Sequence, residues 1–238
     1  MLGLRGREAM TAARRGWPSL VGMLVVALTS GAGATPAPGT DDVQTLAAAI
    51  QRHYEQIRDF RADFTHTYEG GVLRKKTVER GQMAIRKPGR MRWTYTSPEP
   101  KVFVSDGVKL YSYVPADKQV YVATVPTGDE ASTPAMFLAG KGHLTRDFTA
   151  TAASPVTGAP SGSAAIKLTP VKPEREYETL VLVVDRASLQ WRMLLTTDRQ
   201  GGTSTFAFAN LRENAGVPDR EFVFTIPRGV DVITDAGR

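Results

Sequence analysis

The amino-acid sequence predicts a mainly β protein, built on one large and strongly curved antiparallel sheet with few helices. Residues 82–125 divide into five short strand candidates with alternating apolar and polar side chains, and five more candidates follow between residues 166 and 226. Only two stretches, near residues 41–57 and 133–140, have a helical pattern. A sheet of this size curves into a barrel or half-barrel, whose concave face must be filled by helices, by a ligand or by both.

The first 34 residues are predicted to be a secretory signal peptide. Four arginines precede an apolar stretch at residues 20–28, and Ala32-Gly33-Ala34 has the small residues of a cleavage site. The apolar stretch is shorter than the about 20 residues that a membrane anchor needs. Residues 35–238 are therefore expected to form a single exported domain.

The chain contains no cysteine. Disulfides, thiolate metal sites and a lipid-attachment cysteine after the signal peptide are thus excluded. The exported product is expected to be soluble.

The first helix is expected to begin after Asp41, which can cap it. Its apolar residues follow helical spacing: Val43, Leu46, Ala47, Ile50, Tyr54 and Ile57. This apolar side packs on the sheet, and it is left open whether it also contacts a ligand. Residues 60–67 follow as the first strand.

The run from residue 82 to residue 125 has the clearest strand pattern. Met83 and Ile85, and then Met91, Trp93 and Tyr95, alternate with polar or cationic residues, so that one face is apolar. Turn residues separate the strands at 88–89, 97–100, 106–107 and 115–117. Because these connections are short, neighbouring strands are expected to be antiparallel.

A very short apolar helix is predicted between the two groups of strands. Thr133 can be its N-cap, Pro134 its first residue and Gly140 its stop. It is interpreted either as a buried connector or as a movable plug over a cavity. After a loop at 154–163, strands are predicted at residues 166–169, 180–185, 190–196, 203–211 and 221–226.

Enzyme motifs are not found in the sequence. His53, His66 and His143 lack metal-ligand spacing, and no Gly-x-Ser-x-Gly elbow or phosphate-binding loop occurs. Neither a metal nor a cofactor is predicted, and Asp106-Gly107 is interpreted as a hairpin turn. An active site dispersed over the sequence remains open.

Six segments occur in the order and spacing of one protein family: RKPGRMRWTY at 86–95, VSDG at 104–107, LYSY at 110–113, QVYV at 119–122, TPAMFLAG at 133–140 and EFVFTIPRGVDV at 221–232. The chain resembles the LolA family of periplasmic lipoprotein carriers from about residue 43 to residue 232. The resemblance implies an incomplete antiparallel β-barrel closed by a helical lid.

The resemblance also implies a function without catalysis. Such a carrier is a periplasmic chaperone that accepts acylated lipoproteins from an ATP-driven inner-membrane releasing complex and delivers them to an outer-membrane lipoprotein receptor. It is expected to be a monomer that contacts membranes only transiently. Two alternatives use the same half-barrel: an envelope sensor or scaffold, and a carrier of another lipid.

The resemblance further implies which residues form the site. The acyl-chain cavity is expected to be lined by Met83, Ile85, Met91, Trp93, Tyr95, Val102, Val104, Tyr111, Tyr113, Leu182, Trp191, Met193, Phe206, Phe208 and Phe222. The lid is expected to contain Met136, Phe137 and Leu138. The family usually has an arginine where this chain has Lys87, so that Arg86 or Arg90 is expected to take over its contact with the lid, or else the lid closes less firmly. Arg86, Lys87 and Arg90 are expected to contact the lid or a partner.

Cationic residues cluster on the polar face of the first strand group: Lys75, Lys76, Arg80, Arg86, Lys87, Arg90 and Arg92. They are interpreted either as a solvated strand face or as a surface that steers the protein toward acidic partners or anionic headgroups. No nucleic-acid reading motif accompanies them, so nucleic acid is not a predicted partner.

Overall fold

The computed structural model describes residues 40–70, 75–125 and 133–234, and the predicted signal peptide lies outside them. Helix α1 (Thr40–Gln56) precedes six strands: β1 (Asp59–Glu69), β2 (Lys76–Arg86), β3 (Arg90–Ser97), β4 (Lys101–Asp106), β5 (Lys109–Val114) and β6 (Gln119–Thr124). Two short helices follow, α2 (Pro134–Leu138) and α3 (Leu144–Asp147). The last six strands are β7 (Phe148–Ala152), β8 (Ser163–Pro170), β9 (Thr179–Asp185), β10 (Trp191–Thr197), β11 (Thr203–Glu213) and β12 (Asp231–Thr234). Single 3-10 turns occur at Pro115–Asp117 and Asp219–Phe222.

All twelve strands belong to one sheet, in the order β12-β6-β5-β4-β3-β2-β1-β11-β10-β9-β8-β7. Neighbours are antiparallel except β12 and β6, which are parallel. The sheet does not close, because its two edge strands, β12 and β7, do not pair with each other. The predicted mainly β fold, an incomplete antiparallel barrel, is thus confirmed.

One face of the sheet, here called the inner face, carries the main hydrophobic core. Helix α1 lies on it with one apolar stripe, in which Val43, Ala47 and Ile50 are almost completely buried. Burying a side chain such as Ile50 contributes about 2 kcal/mol. Gln44 fixes this helix on β7 by donating from Nε2 to the Ala150 carbonyl at 3.0 Å.

The opposite, outer face is crossed by residues 214–226, here called the strap. Its first residue, Asn214, donates its backbone N–H to the Asp59 carbonyl at 2.7 Å. Further along, Phe222 packs in a small cluster with Ala84, and the Phe224 ring stacks on Tyr111 with centroids 5.4 Å apart. The strap thereby carries the chain from β11, over the neighbouring strands, to β12 beside β6.

The strand predicted at 221–226 is wrong, because this stretch is a 3-10 turn followed by strap without a strand ladder. An extended chain that lies on a sheet buries alternate side chains, as a strand does. The alternation of Phe222 and Phe224 with other residues therefore resembles the pattern of a strand. Strands β7 and β12 were missed. The other predicted strands and the first helix are confirmed within a few residues, except that β2 begins at Lys76, before the predicted run that starts at residue 82.

Candidate functional site: an apolar pocket between the sheet and a short helix

An apolar pocket of about 270 Å³ lies between the inner face and helix α2. The sheet supplies one wall through Met91, Trp93, Tyr95, Phe103, Leu110, Leu194 and Phe206. The other wall is formed by Thr133, Pro134, Ala135 and Leu138. One wall of this pocket is therefore sheet and the other is one short helical segment.

Nine of the residues predicted to line the cavity lie on the inner face or pack against its core: Met83, Ile85, Met91, Trp93, Tyr95, Leu182, Trp191, Phe206 and Phe208. Four of them, Met91, Trp93, Tyr95 and Phe206, line the pocket itself. The aromatic rings form a continuous group, in which Phe64 contacts Trp93 and Tyr95 at centroid distances of 5.1 and 4.8 Å.

Four predicted residues, Val102, Val104, Tyr111 and Tyr113, lie on the outer face instead. Directly opposed residues of antiparallel strands share a face, and Trp93 is opposed by Phe103 rather than by Val102 or Val104. Tyr111 and Tyr113 are opposed by Val104 and Val102, and both contact Phe224 of the strap. Placing these four residues in the cavity was therefore wrong. Phe103 and Leu110 take their place, and the pairing register would have identified them.

Met193 and Phe222 also lie away from the pocket. A bulge between Trp191 and Met193 breaks the alternation on β10, so Trp191 joins the inner core while Met193 pairs beside Val183 and Ala207 on the outer face. Phe222 belongs to the outer cluster with Ala84 and Val217. The assignment of Met193 and Phe222 to the cavity was wrong as well.

Helix α2 has the ends that the sequence predicts. Thr133 is its N-cap, with the side-chain oxygen accepting from the Met136 N–H at 3.1 Å, and Pro134 is its first residue. Gly140 follows its end with a φ of +83°, a conformation that favours glycine. All three predicted lid residues, Met136, Phe137 and Leu138, are buried.

Helix α2 is held by contacts with α1, with β10 and with the turn between β2 and β3. The Tyr54 hydroxyl donates to the Leu138 carbonyl, and burial raises the pKa of Tyr54 far above its ordinary value. The Phe137 ring stacks on Trp191 with centroids 5.7 Å apart and an angle of 10°. A backbone hydrogen bond of 2.8 Å joins the Gly89 N–H to the Ala139 carbonyl.

Of the three predicted basic residues, Lys87 is the one that lies beside the end of α2. Its ammonium group donates to the Tyr54 carbonyl at the end of α1, and its side chain packs so closely on Gly140 that an added Cβ there would lie 2.6 Å from Lys87 Cδ. Burial lowers the pKa of Lys87 to about 8, although the nearby charge of Glu55 opposes this.

Arg86 and Arg90 contact the strap instead of the lid. Both guanidinium groups bind the carboxylate of Asp219, and Arg86 also donates to the Val217 carbonyl at 3.1 Å. The expectation that one of these arginines replaces the family arginine at the lid was wrong. Lysine itself occupies that position.

A polar cluster that the sequence did not reveal adjoins the pocket. His66 lies between Glu79, with Nδ1 to Oε2 at 3.0 Å, and Ser204, with Nε2 to Oγ at 2.7 Å. Lys101 Nζ donates to the other oxygen of Glu79 at 2.6 Å. We call these four residues the rim cluster. They come from four strands, so no local motif marks them.

With this geometry established, comparison with known proteins identifies the family. Residues 55–225 match the family described as outer membrane lipoprotein carrier protein LolA. This chain belongs to the LolA family. Among its LolA relatives, the outer-membrane lipoprotein carrier protein of Chromohalobacter salexigens is 32% identical over 200 residues, which cover 83% of this chain and 89% of the relative. The carrier protein of Dechloromonas aromatica is 31% identical over 181 residues, 75% of this chain and 83% of the relative.

A solved structure also has the fold of this LolA-family chain. The crystal structure of an uncharacterized conserved protein from Thermus thermophilus has a TM-score of 0.50 and 8% identity. The match covers 80% of this chain and 98% of that protein. Within the described residues of this chain, no helix is long and apolar enough to cross a membrane.

Proposed function

We propose that this protein is a periplasmic carrier that binds the acyl chains of lipoproteins released from the inner membrane and delivers them toward the outer membrane. Membership of the LolA family supports this role. The observation that carries the proposal is the apolar pocket of about 270 Å³, one wall of which is the short helix α2. In this role no covalent bond is made or broken.

The acyl chain replaces α2 on the inner face when cargo binds. The pocket is slightly smaller than typical ligand sites of about 300–1,000 Å³, so a long acyl chain needs the additional space that α2 occupies. Because α2 is a separate five-residue helix outside the strand order of the sheet, the helix can move away while the sheet stays intact.

The lid also explains how a carrier avoids holding its cargo too tightly. An acyl chain of about 16 carbons gains on the order of 10 kcal/mol by leaving water, at about 0.8 kcal/mol per methylene. Exposing Met136, Phe137 and Leu138 costs about 5–8 kcal/mol on the same scale, because all three are buried in the closed state. Closing the lid therefore offsets much of the affinity when cargo leaves.

The partners follow from the role. Acylated lipoproteins are the cargo, an ATP-driven inner-membrane complex releases them, and an outer-membrane lipoprotein receptor accepts them. Lipoproteins cross the periplasm bound to this protein because exposure of their acyl chains to water is too costly for free diffusion.

The experiment adds the purified chain 35–238 to spheroplasts and measures whether newly made lipoproteins leave the membrane as soluble one-to-one complexes. The test variant is Phe206→Glu, which places a charge in the pocket. The matched control is Phe224→Glu, because Phe224 is also a half-buried phenylalanine but lies on the outer face.

Release by the wild type and by Phe224→Glu, but not by Phe206→Glu, is the expected result. Absence of release by the wild type, in spheroplasts where a known carrier succeeds, would reject the proposal. Equal release by both variants would place the acyl site elsewhere.

A further inference from the structure

We propose that the rim cluster is a binding site for the carbonyl group of an ester-linked acyl chain, with Lys101 as the binding residue. This inference rests on the proposed carrier function, and it names the polar part of the ligand that the apolar pocket leaves unexplained.

The rim cluster and the pocket share their aromatic residues. Lys101 Nζ lies 4.4 Å from the centroid of the Tyr95 ring and 6.0 Å from that of Phe103, and both rings line the pocket. The His66 ring stacks on Phe206, another pocket residue, with centroids 4.2 Å apart and an angle of 3°. The rim cluster is therefore the polar group that adjoins this side of the pocket, and we place the polar end of a bound chain there.

The hydrogen bonds of the rim cluster leave donors on Lys101. Burial lowers the pKa of His66, outweighing the hydrogen bond with Glu79, which favours the neutral ring. A neutral ring that donates from Nδ1 to Glu79 accepts from the Ser204 hydroxyl at Nε2, which satisfies both nitrogens. The Lys101 ammonium has three N–H groups and uses one on Glu79.

The charge balance favours a carbonyl over a phosphate. Glu79 and Lys101 form an ion pair at 2.6 Å, and with His66 neutral the cluster has no net charge. A phosphate would bring negative charge next to the Glu79 carboxylate, whereas a carbonyl accepts a hydrogen bond without a charge of its own. Diacylglyceryl lipopeptides and phospholipids both carry acyl esters, and the phosphate distinguishes them.

The arrangement of Ser204, His66 and Glu79 also resembles a hydrolytic triad, but the surroundings favour binding. Ser204 lies within β11 and is paired on both sides, with Tyr68 of β1 and Thr196 of β10. Its neighbouring backbone groups belong to the sheet ladders, so they do not form an oxyanion hole. We therefore assign His66 and Ser204 a positioning role toward Glu79 and Lys101.

The test compares a synthetic diacylglyceryl lipopeptide with its dialkyl ether counterpart, which has the same chains but no carbonyls. Dissociation constants are measured by displacement of a fluorescent fatty-acid probe from the chain 35–238. A third ligand, a diacyl phosphatidylglycerol, adds a phosphate to the same esters. Free fatty acid is measured in each sample.

The variants remove the charges of the cluster as a pair. Lys101→Met combined with Glu79→Gln leaves no unpaired charge, and Lys101→Arg keeps the donors. The matched control is Lys109→Met, since Lys109 is an exposed lysine on the neighbouring strand β5. Far-ultraviolet circular dichroism checks that each variant is folded.

The wild type, Lys109→Met and Lys101→Arg are expected to bind the ester about tenfold more tightly than the ether, as one hydrogen bond to a charged donor predicts. The paired variant is expected to bind both equally, with unchanged affinity for the ether. The phospholipid is expected to bind more weakly than the lipopeptide.

Four results would overturn the proposal. Equal binding of ester and ether by the wild type rejects recognition of the carbonyl and leaves the proposed carrier function intact. If the wild type binds neither the ester nor the ether, the carbonyl site and the carrier function are both rejected. Tighter binding of the phospholipid than of the lipopeptide would show that the site accepts a phosphate, contrary to the proposal. Release of fatty acid that Ser204→Ala abolishes would make the cluster catalytic.

Discussion

The Lys87 ammonium group lies 3.8 Å from the centroid of the Tyr54 ring and donates to the carbonyl of the same residue. The Tyr54 hydroxyl in turn donates to the Leu138 carbonyl on α2. One basic residue at the turn between β2 and β3 thus contacts the lid through a single tyrosine.

The titration of Lys87 makes stability depend on pH. The folded pKa is about 8 and the ordinary value is 10.5, so between these values the unfolded chain binds a proton that the folded chain lacks. Stability therefore rises with pH from about 8 to about 10.5, relative to a chain without this group. Urea unfolding over this range is expected to show the rise in the wild type and not in Lys87→Met.

Lys87→Arg is the control for that experiment, since arginine stays charged throughout the range. Parallel pH profiles for the wild type and Lys87→Met would contradict the assignment of a lowered pKa to Lys87.

Tyr54→Phe is expected to weaken closure of the lid. Removing the hydroxyl leaves the Leu138 carbonyl without this donor, at a cost of about 1–3 kcal/mol for a buried acceptor. We expect a lower urea midpoint and faster uptake of a fluorescent fatty acid in stopped-flow measurements. Tyr121→Phe, at an exposed tyrosine bonded only to Gln119 in the described structure, should change neither quantity.

Phe222 and Phe206 should respond differently to the same substitution. Phe222→Leu is expected to destabilise the fold by about 1–2 kcal/mol, because Phe222 is almost completely buried, without changing the affinity for an acyl ligand. Phe206→Leu should weaken binding with a smaller effect on stability, since Phe206 lines the pocket and is only half-buried. Chemical denaturation and probe displacement measure the two effects, and weaker binding by Phe222→Leu would contradict its placement on the outer face.

Asp219→Asn should have little effect on stability. The Asp219 side chain is 68% exposed, and its two arginine partners are about 40% exposed. Solvent screening limits such pairs to at most about 1 kcal/mol, and salt reduces this further. A loss well above this value in urea unfolding would show that Asp219 is needed to keep the strap in place.

Much of the fold follows from local patterns in the sequence. Alternation identifies most strands, and the caps at Thr133 and Gly140 locate the short helix that becomes a pocket wall. Met91, Trp93 and Tyr95 lie together on the inner face, as the alternation predicts, because a single uninterrupted strand carries all three.

Features that depend on relations between strands could not be predicted in this way. Alternation within β4 does not show which of its two faces lies on the same side of the sheet as Trp93, because this depends on the pairing of β4 with β3. The bulge before Met193 reverses the alternation without any unusual residue to mark it. The rim cluster joins residues separated by up to 138 positions, which only the folded sheet brings together.

The strand lengths are distributed unevenly across the sheet. Strands β1 and β11, near its middle, have 11 residues each, whereas the edge strands β12 and β7 have only 4 and 5. Short edges present few free backbone groups on which another chain could add a strand. With the proposed opening of its apolar interior to accept cargo, the protein thereby offers neighbouring copies few edge groups on which to aggregate.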